Sequence, residues 1–319
     1  MADIRADRSL GEPPEWVTRQ RALFDLMATA VDDFVADYTD ENDEPFWPPE
    51  GHVGVDGFDD LLEGFYNWPL VYAMGGDESL LDNARRVYEG ALRRGSDTET
   101  PFGHPMVVDE FEQCRDWFHH GEANLFTYNM GLAAPADDTV VARAERFADL
   151  YLGDSDVDNY DPEKRLVRAP MTGSMGPEYS DLSAFGTQST FGGYGSEYRW
   201  ASHGLPWRDR GFESATELLD ADNEERLFEI YDERCSRGDV PLNLAITSLV
   251  TNAYLHTGDE AYREWVTEYV DAWRERAETN DGIVPDNVGL SGEIGEYTDG
   301  KWWGGMYGWS WGGWHYVGV

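Results

Sequence analysis

Phe65-Tyr66-Asn67-Trp68-Pro69-Leu70-Val71-Tyr72-Ala73-Met74, followed by Gly75-Gly76-Asp77-Glu78 and an amphipathic run from Leu80 to Arg94, is the stretch that decides the fold. An apolar helix, a tight glycine turn and an aspartate suited to cap the next helix make a helical hairpin. The same order returns twice. Leu125 to Leu132 leads through Ala133-Ala134-Pro135-Ala136-Asp137-Asp138 to Val140–Leu152, and Leu244 to Leu255 leads through Thr257-Gly258-Asp259-Glu260 to Tyr262–Arg276.

No single hairpin of this kind buries its own apolar face, so three of them predict an array. One hydrophobic and one amphipathic helix per unit suit an inner and an outer ring. The expected fold is therefore all-α, an (α/α) toroid more than an open solenoid, and a single domain over 1–319. Upstream, Trp16 to Tyr38 places Val17, Leu23, Phe24, Met27, Val31, Phe34 and Val35 near a helical stripe, and Pro45, Pro48 and Pro49 then enforce a loop. TPR, ankyrin and armadillo signatures are absent.

The chain carries a net charge of −39, from 63 acidic against 24 basic residues, and its lysines are Lys164 and Lys301 alone. Such charge often marks disorder, but 41% hydrophobic and 14% aromatic residues argue for a packed core. The acid is spread over nearly every segment, a pattern that suits a halophilic cytosol, where salt screens self-repulsion. DNA mimicry would concentrate acid in one patch. The surface repels nucleic acid and anionic membrane, and no apolar run is long enough to span a bilayer. Without an apolar stretch near Met1, the expected compartment is the cytoplasm. Cys114 and Cys235 read as reduced core thiols.

Two segments break the helical period. Residues 160–211 are rich in Gly, Ser, Tyr and Phe, and read as an ordered aromatic loop laid over a site. The end of the chain, from Lys301, holds five Trp, two Tyr and five Gly within residues 302–316. Exposed, it would be an aggregation hazard; at the mouth of a cleft it offers flat rings to the apolar faces of a sugar. It closes on no polar cap, so the natural chain is expected to continue beyond it.

The Gly-Gly-Asp and Thr-Gly-Asp turns between paired helices resemble those of the six-hairpin (α/α)-toroid enzymes of carbohydrate metabolism, both glycoside hydrolases and polysaccharide lyases. So does the Trp/Gly-rich stretch after Asp281-Gly282-Ile283-Val284-Pro285-Asp286-Asn287. The resemblance implies a carbohydrate substrate and no cofactor. The helices before the final segment fall short of six full pairs, which implies an incomplete barrel, truncated at its C-terminal side.

Three constellations carry candidate chemistry. The densest runs from Asp109 to Asn124. If Trp117–Asn129 is helical, His120, Asn124 and Tyr128 share one side, and His119 lies three residues from Glu122. An amide and an arginine that neutralise a uronate carboxylate, with His or Tyr taking the C5 proton, are what β-elimination needs. The spacing does not match a zinc helix, and no metal is expected. The second is Asp56 to Trp68, where Asp56, Asp60 and Glu63 follow helical spacing with Asn67 one turn further. Carboxylates there suit glycoside cleavage, although acids in a first helical turn also simply favour the macrodipole. The third joins Asp286 and Asn287 to Trp302, Trp303, Tyr307 and Trp309 as a sugar subsite, with Arg199 and His203 of the central loop available to a substrate carboxylate. Asp154 to Asn159 opens like an EF-hand loop but has Asn159 and Arg165 where Gly and Glu belong.

The sequence thus predicts a glycoside hydrolase acting on an oligo- or polysaccharide, with catalytic candidates His119, His120, Glu122, Tyr128, Asp56 and Glu63. Three alternatives stand beside it: a polysaccharide lyase, a toroidal terpenoid dehydratase/isomerase in which Cys114 would act, and a non-catalytic glycan-binding protein. The oligomeric state is not legible.

Overall fold

A computed structural model describes residues 11–46, 57–99, 103–113, 115–153, 156–179, 210–213, 217 and 220–303. In chain order it contains α1 (Glu15–Tyr38), α2 (Phe58–Glu63), α3 (Trp68–Ala73), α4 (Glu78–Asp97), β1 (Val107–Val108), β2 (Phe111–Glu112), α5 (Trp117–Ala133) and α6 (Asp138–Asp149). There follow β3 (Tyr160–Asp161), β4 (Leu166–Val167), α7 (Glu224–Cys235), α8 (Ile246–Thr257) and α9 (Glu260–Thr279), with short 3-10 turns at Ala221–Asn223 and Pro241–Ala245.

Asp77, Asp137 and Asp259 open α4, α6 and α9. Each side chain accepts the main-chain N–H two residues on, from Ser79, Thr139 and Ala261 at 2.9, 2.9 and 3.0 Å. These bonds satisfy donors that a helix start leaves without partners. The turn before α9 closes on Gly258 at φ 69°, a left-handed C-cap that a side chain would strain. The second helices are amphipathic: α4 buries Leu80, Leu81, Ala84, Val87, Tyr88, Ala91 and Leu92 and leaves its arginines outside.

The hairpins stack in series. α3 packs on α4 and α5, α5 on α6 and α8, and α8 on both α6 and α9, while α1 covers α4. α5 therefore lies between two hydrophobic clusters. Phe126 and Met130 join the one built from α1 to α4, and Trp117 joins the one built from α6, α8 and α9. The described residues are helix-rich, with strands confined to two short hairpins. They form a row of hairpins, and no closed barrel is seen among them.

Three details differ from the sequence reading. The α1 stripe is a core stripe only in part: Val31 is buried beside Ala28, and Phe24, Phe34 and Val35 pack against the same cluster, whereas Leu23 is 54% exposed and Met27 lies at the surface. Part of the central loop is regular, since β3 pairs with β4 in antiparallel register (Tyr160↔Val167). Asn159, in the EF-hand-like stretch, turns inward and donates to Leu150 O and Gly173 O at 3.2 and 2.8 Å.

Gly90 marks the closest approach in the first hairpin. A Cβ there would overlap the carbonyl of Asp43, which is backbone and cannot swing aside. Gly90→Ala is expected to destabilise the protein by about 1–3 kcal/mol, despite alanine's better helix propensity. Urea unfolding at constant molar salt measures it, and an unchanged or raised midpoint would show that the 39–46 loop yields.

Candidate functional site

The β1–β2 hairpin sets one wall of the site. Its two-residue turn, Asp109-Glu110, has φ of 53° and 67°, the left-handed pair that such a turn demands. Glu110 holds this strained conformation between Arg143, whose Nε donates at 2.9 Å, and Arg146. The hairpin thereby delivers Glu112 into the interior, where its Oε1 accepts the Phe58 N–H at 2.8 Å. That bond caps the start of α2 and fixes the next residue, Asp59.

α2 packs on the first turns of α5, so Asp59, Asp60 and Glu63 from one helix face His119 and Glu122 from the other. Asp116 caps α5, accepting the N–H groups of Phe118 (3.0 Å) and His119 (3.3 Å), and its Oδ1 also lies 2.7 Å from His119 Nδ1. The carboxylate thus both starts the helix and orients the imidazole. Arg115 is buried between Glu112 (Nε to Oε1, 3.5 Å) and Asp59.

Burial, with the Glu112 carboxylate as second cause, pushes the Asp59 carboxyl up to about 8, while His119 and Arg115 pull the other way. Asp59 is 2% exposed and lies close enough to the half-buried Glu122 to act on its carboxyl. Desolvation still leaves Glu122 above the usual glutamate range, and burial with the Asp60 charge raises Glu63. The cluster is a set of neighbouring carboxyl groups with a proton held at neutral pH.

Of the residues singled out in the sequence, His119, Glu122 and Glu63 come together here. Glu63 and Asn67 are exposed along α2 and the start of α3. His120 is not part of the same surface. It is 1% exposed, packed on Phe111 and Trp117, and donates from Nε2 to Thr172 O at 2.9 Å. Burial drives its proton affinity down to about 4, so the ring is neutral. Asn124 spends its amide on His120 O at 2.8 Å, and the Tyr128 hydroxyl is buried with its ionisation pushed up by desolvation. The shared side of α5 exists, but it faces inward because α5 is wedged between two core clusters. Beside it, a cavity of about 20 Å³ is lined by Glu112, His120, Asn124 and Thr127.

Asp286 and Asn287 are buried too. The Asp286 N–H donates to Trp302 O at 2.9 Å, and Asn287 Nδ2 donates to Arg237 O at 2.8 Å. This joins the acid–amide pair to the aromatic segment, where Trp303 is 40% exposed beneath Lys301 Nζ, 5.4 Å from the ring centroid. Main-chain bonds link the intervening segments in series: Thr172 N to Arg115 O, Gly238 N to Arg168 O, and Asp239 with Val288 in both directions. Asp56, Arg199, His203, Tyr307, Trp309 and Cys114 lie outside the described residues.

Asp59 and Glu112 are the site residues that sequence reading misses. Asp59 sits between Phe58 and Asp60 in a chain with acid everywhere, and nothing local distinguishes it. One signal was available: Asp59 and Glu63 are i,i+4 neighbours, the spacing of one helix face.

A row of helical hairpins with a buried carboxyl cluster at the end where α5 begins defines the class. The chain belongs to the family described as Domain of unknown function (DUF8034), whose model matches residues 3–319. No curated protein matches it. No helix among the described residues is long and apolar enough to cross a membrane.

Proposed function

We propose that the protein is a glycoside hydrolase built on an (α/α)-toroid-like array of hairpins, acting on an oligo- or polysaccharide. The observation that carries this reading is the Asp59–Glu122 pair. A proton held at neutral pH behind a half-exposed carboxylate is what protonation of a glycosidic oxygen requires. Glu122 meets the substrate, and Asp59 stores the proton behind it. Glu63 is the opposing carboxylate. It lies one turn along α2 from Asp59, and its charge acts on Glu122, so two carboxyl groups are available as glycosidic cleavage requires. His119, oriented by Asp116, flanks the pair. Trp303, 40% exposed, offers a ring on which a sugar face can stack.

Elimination is the weaker reading, because His120 and Tyr128 are sealed in the core and only His119 remains near solvent as a base. The test is incubation at molar salt with neutral and uronate-containing polysaccharides, following reducing ends and unsaturated-uronate absorbance together. Reducing ends without absorbance are expected. Absorbance rising with them would replace hydrolysis by elimination, and silence from folded protein would favour a glycan-binding role.

A further inference from the structure

We propose that Glu112 is a positioning residue for the Asp59–Glu122 pair, with two separable actions: its oxygen anchors the start of α2, and its charge holds the proton on Asp59. This deepens the hydrolase reading and rests on it for its catalytic meaning, though not for its test.

The geometry supports both actions. Glu112 is buried on β2, a strand fixed by the Arg143- and Arg146-clamped turn, so its carboxyl cannot retreat from α2. Its Oε1 holds the N–H of Phe58, the residue before Asp59, at 2.8 Å across 54 residues of sequence. Its other oxygen lies 3.9 Å from His120 Nδ1, a ring that burial keeps neutral and that therefore does not cancel the charge. Arg115 lies 3.5 Å from that buried charge, and Arg115 is shared with Asp59. The groups facing Asp59 are thus Glu112 from β2, Arg115 before α5, His119 and Glu122 from α5, and Asp60 on its own helix. Removing the Glu112 charge takes a like charge away from Asp59 and leaves the pull of His119 and Arg115 less opposed. The proton then leaves Asp59 at lower pH.

Two variants of the full chain separate the actions. Glu112→Gln keeps an oxygen for Phe58 and removes the charge. Glu112→Asp keeps the charge and withdraws the oxygen by one methylene. Carboxyl 13C NMR, with the Asp59 signal assigned by its loss in Asp59→Asn, follows the proton, and amide exchange at Phe58 follows the anchor. In the Gln variant the Asp59 midpoint is expected to fall by about one pH unit or more, with Phe58 exchange near wild type. In the Asp variant the midpoint should stay near wild type while Phe58 exchanges about tenfold faster or more. An unmoved midpoint in the Gln variant overturns the electrostatic action, and unmoved exchange in the Asp variant overturns the anchor. Because neither readout uses a substrate, a silent polysaccharide panel beside a shifted midpoint would sink the hydrolase reading alone.

Discussion

Asp59→Asn is expected to lower hydrolysis by about 10²–10⁴-fold, the contribution usual for a placed general acid, while leaving the protein more stable at neutral and alkaline pH. The amide has nearly the shape of the carboxyl, so the local packing is kept, but it has no acidic proton to pass on. The stability sign follows from linkage. The Asp59 carboxyl is near 8 in the fold and has a reference value of 3.8. Between those values the unfolded chain is ionised while the native state keeps its proton, so wild-type stability from this group falls as pH rises from about 4 to about 8 and then levels. The variant lacks that loss. Thermal melts across this range at constant molar salt should show the two proteins diverging in favour of Asn as pH rises. Parallel curves would mean that Asp59 ionises normally and is no proton store.

The second large effect lies away from the site. Asp239 is fully buried, accepts bonds from Asn243 Nδ2 (3.0 Å) and Tyr269 OH (2.9 Å), and is faced by Arg276 Nη1 at 3.3 Å. Arg276 also holds the carbonyls of Lys164 and Arg165, tying α9 to the β3–β4 hairpin. Arg276→Ala strands a charge where water does not reach, at an expected cost of about 3–5 kcal/mol. Burial already pushes Asp239 up to about 6, so at pH 5 it accepts a proton in the native state and the loss is smaller than at pH 8. Urea unfolding at both pH values measures the difference, and Asp239→Asn in the same chain should recover part of it at pH 8. A loss equal at both pH values would assign the effect to the carbonyl bonds alone.

The resemblance to the six-hairpin enzymes rested on turns and aromatic content, and the hairpin row keeps it reasonable without closing a ring. The candidate site was legible in part. Glu122, Glu63 and His119 were singled out because they sit at helical spacing near other polar groups, and the fold brings them together. His120 looked equivalent to His119 in sequence. One step around α5 turns the ring from a partly covered group held by Asp116 into a neutral core residue bonded to Thr172, and that step depends on which neighbours wedge the helix.

What the sequence by itself determined was the run of helical hairpins, because turn and cap chemistry acts within about four residues. Asp77, Asp137 and Asp259 each bond the main chain two residues away, and no distant partner is needed to place them. Which of two neighbouring aspartates keeps its proton was decided only by tertiary structure. Asp59 and Asp60 are adjacent and chemically alike. The arrival of Glu112, Arg115 and Glu122 from segments more than 50 residues along the chain buries the first and leaves the second half-covered. Proton affinity is set by desolvation and neighbouring charge, and both are properties of packing.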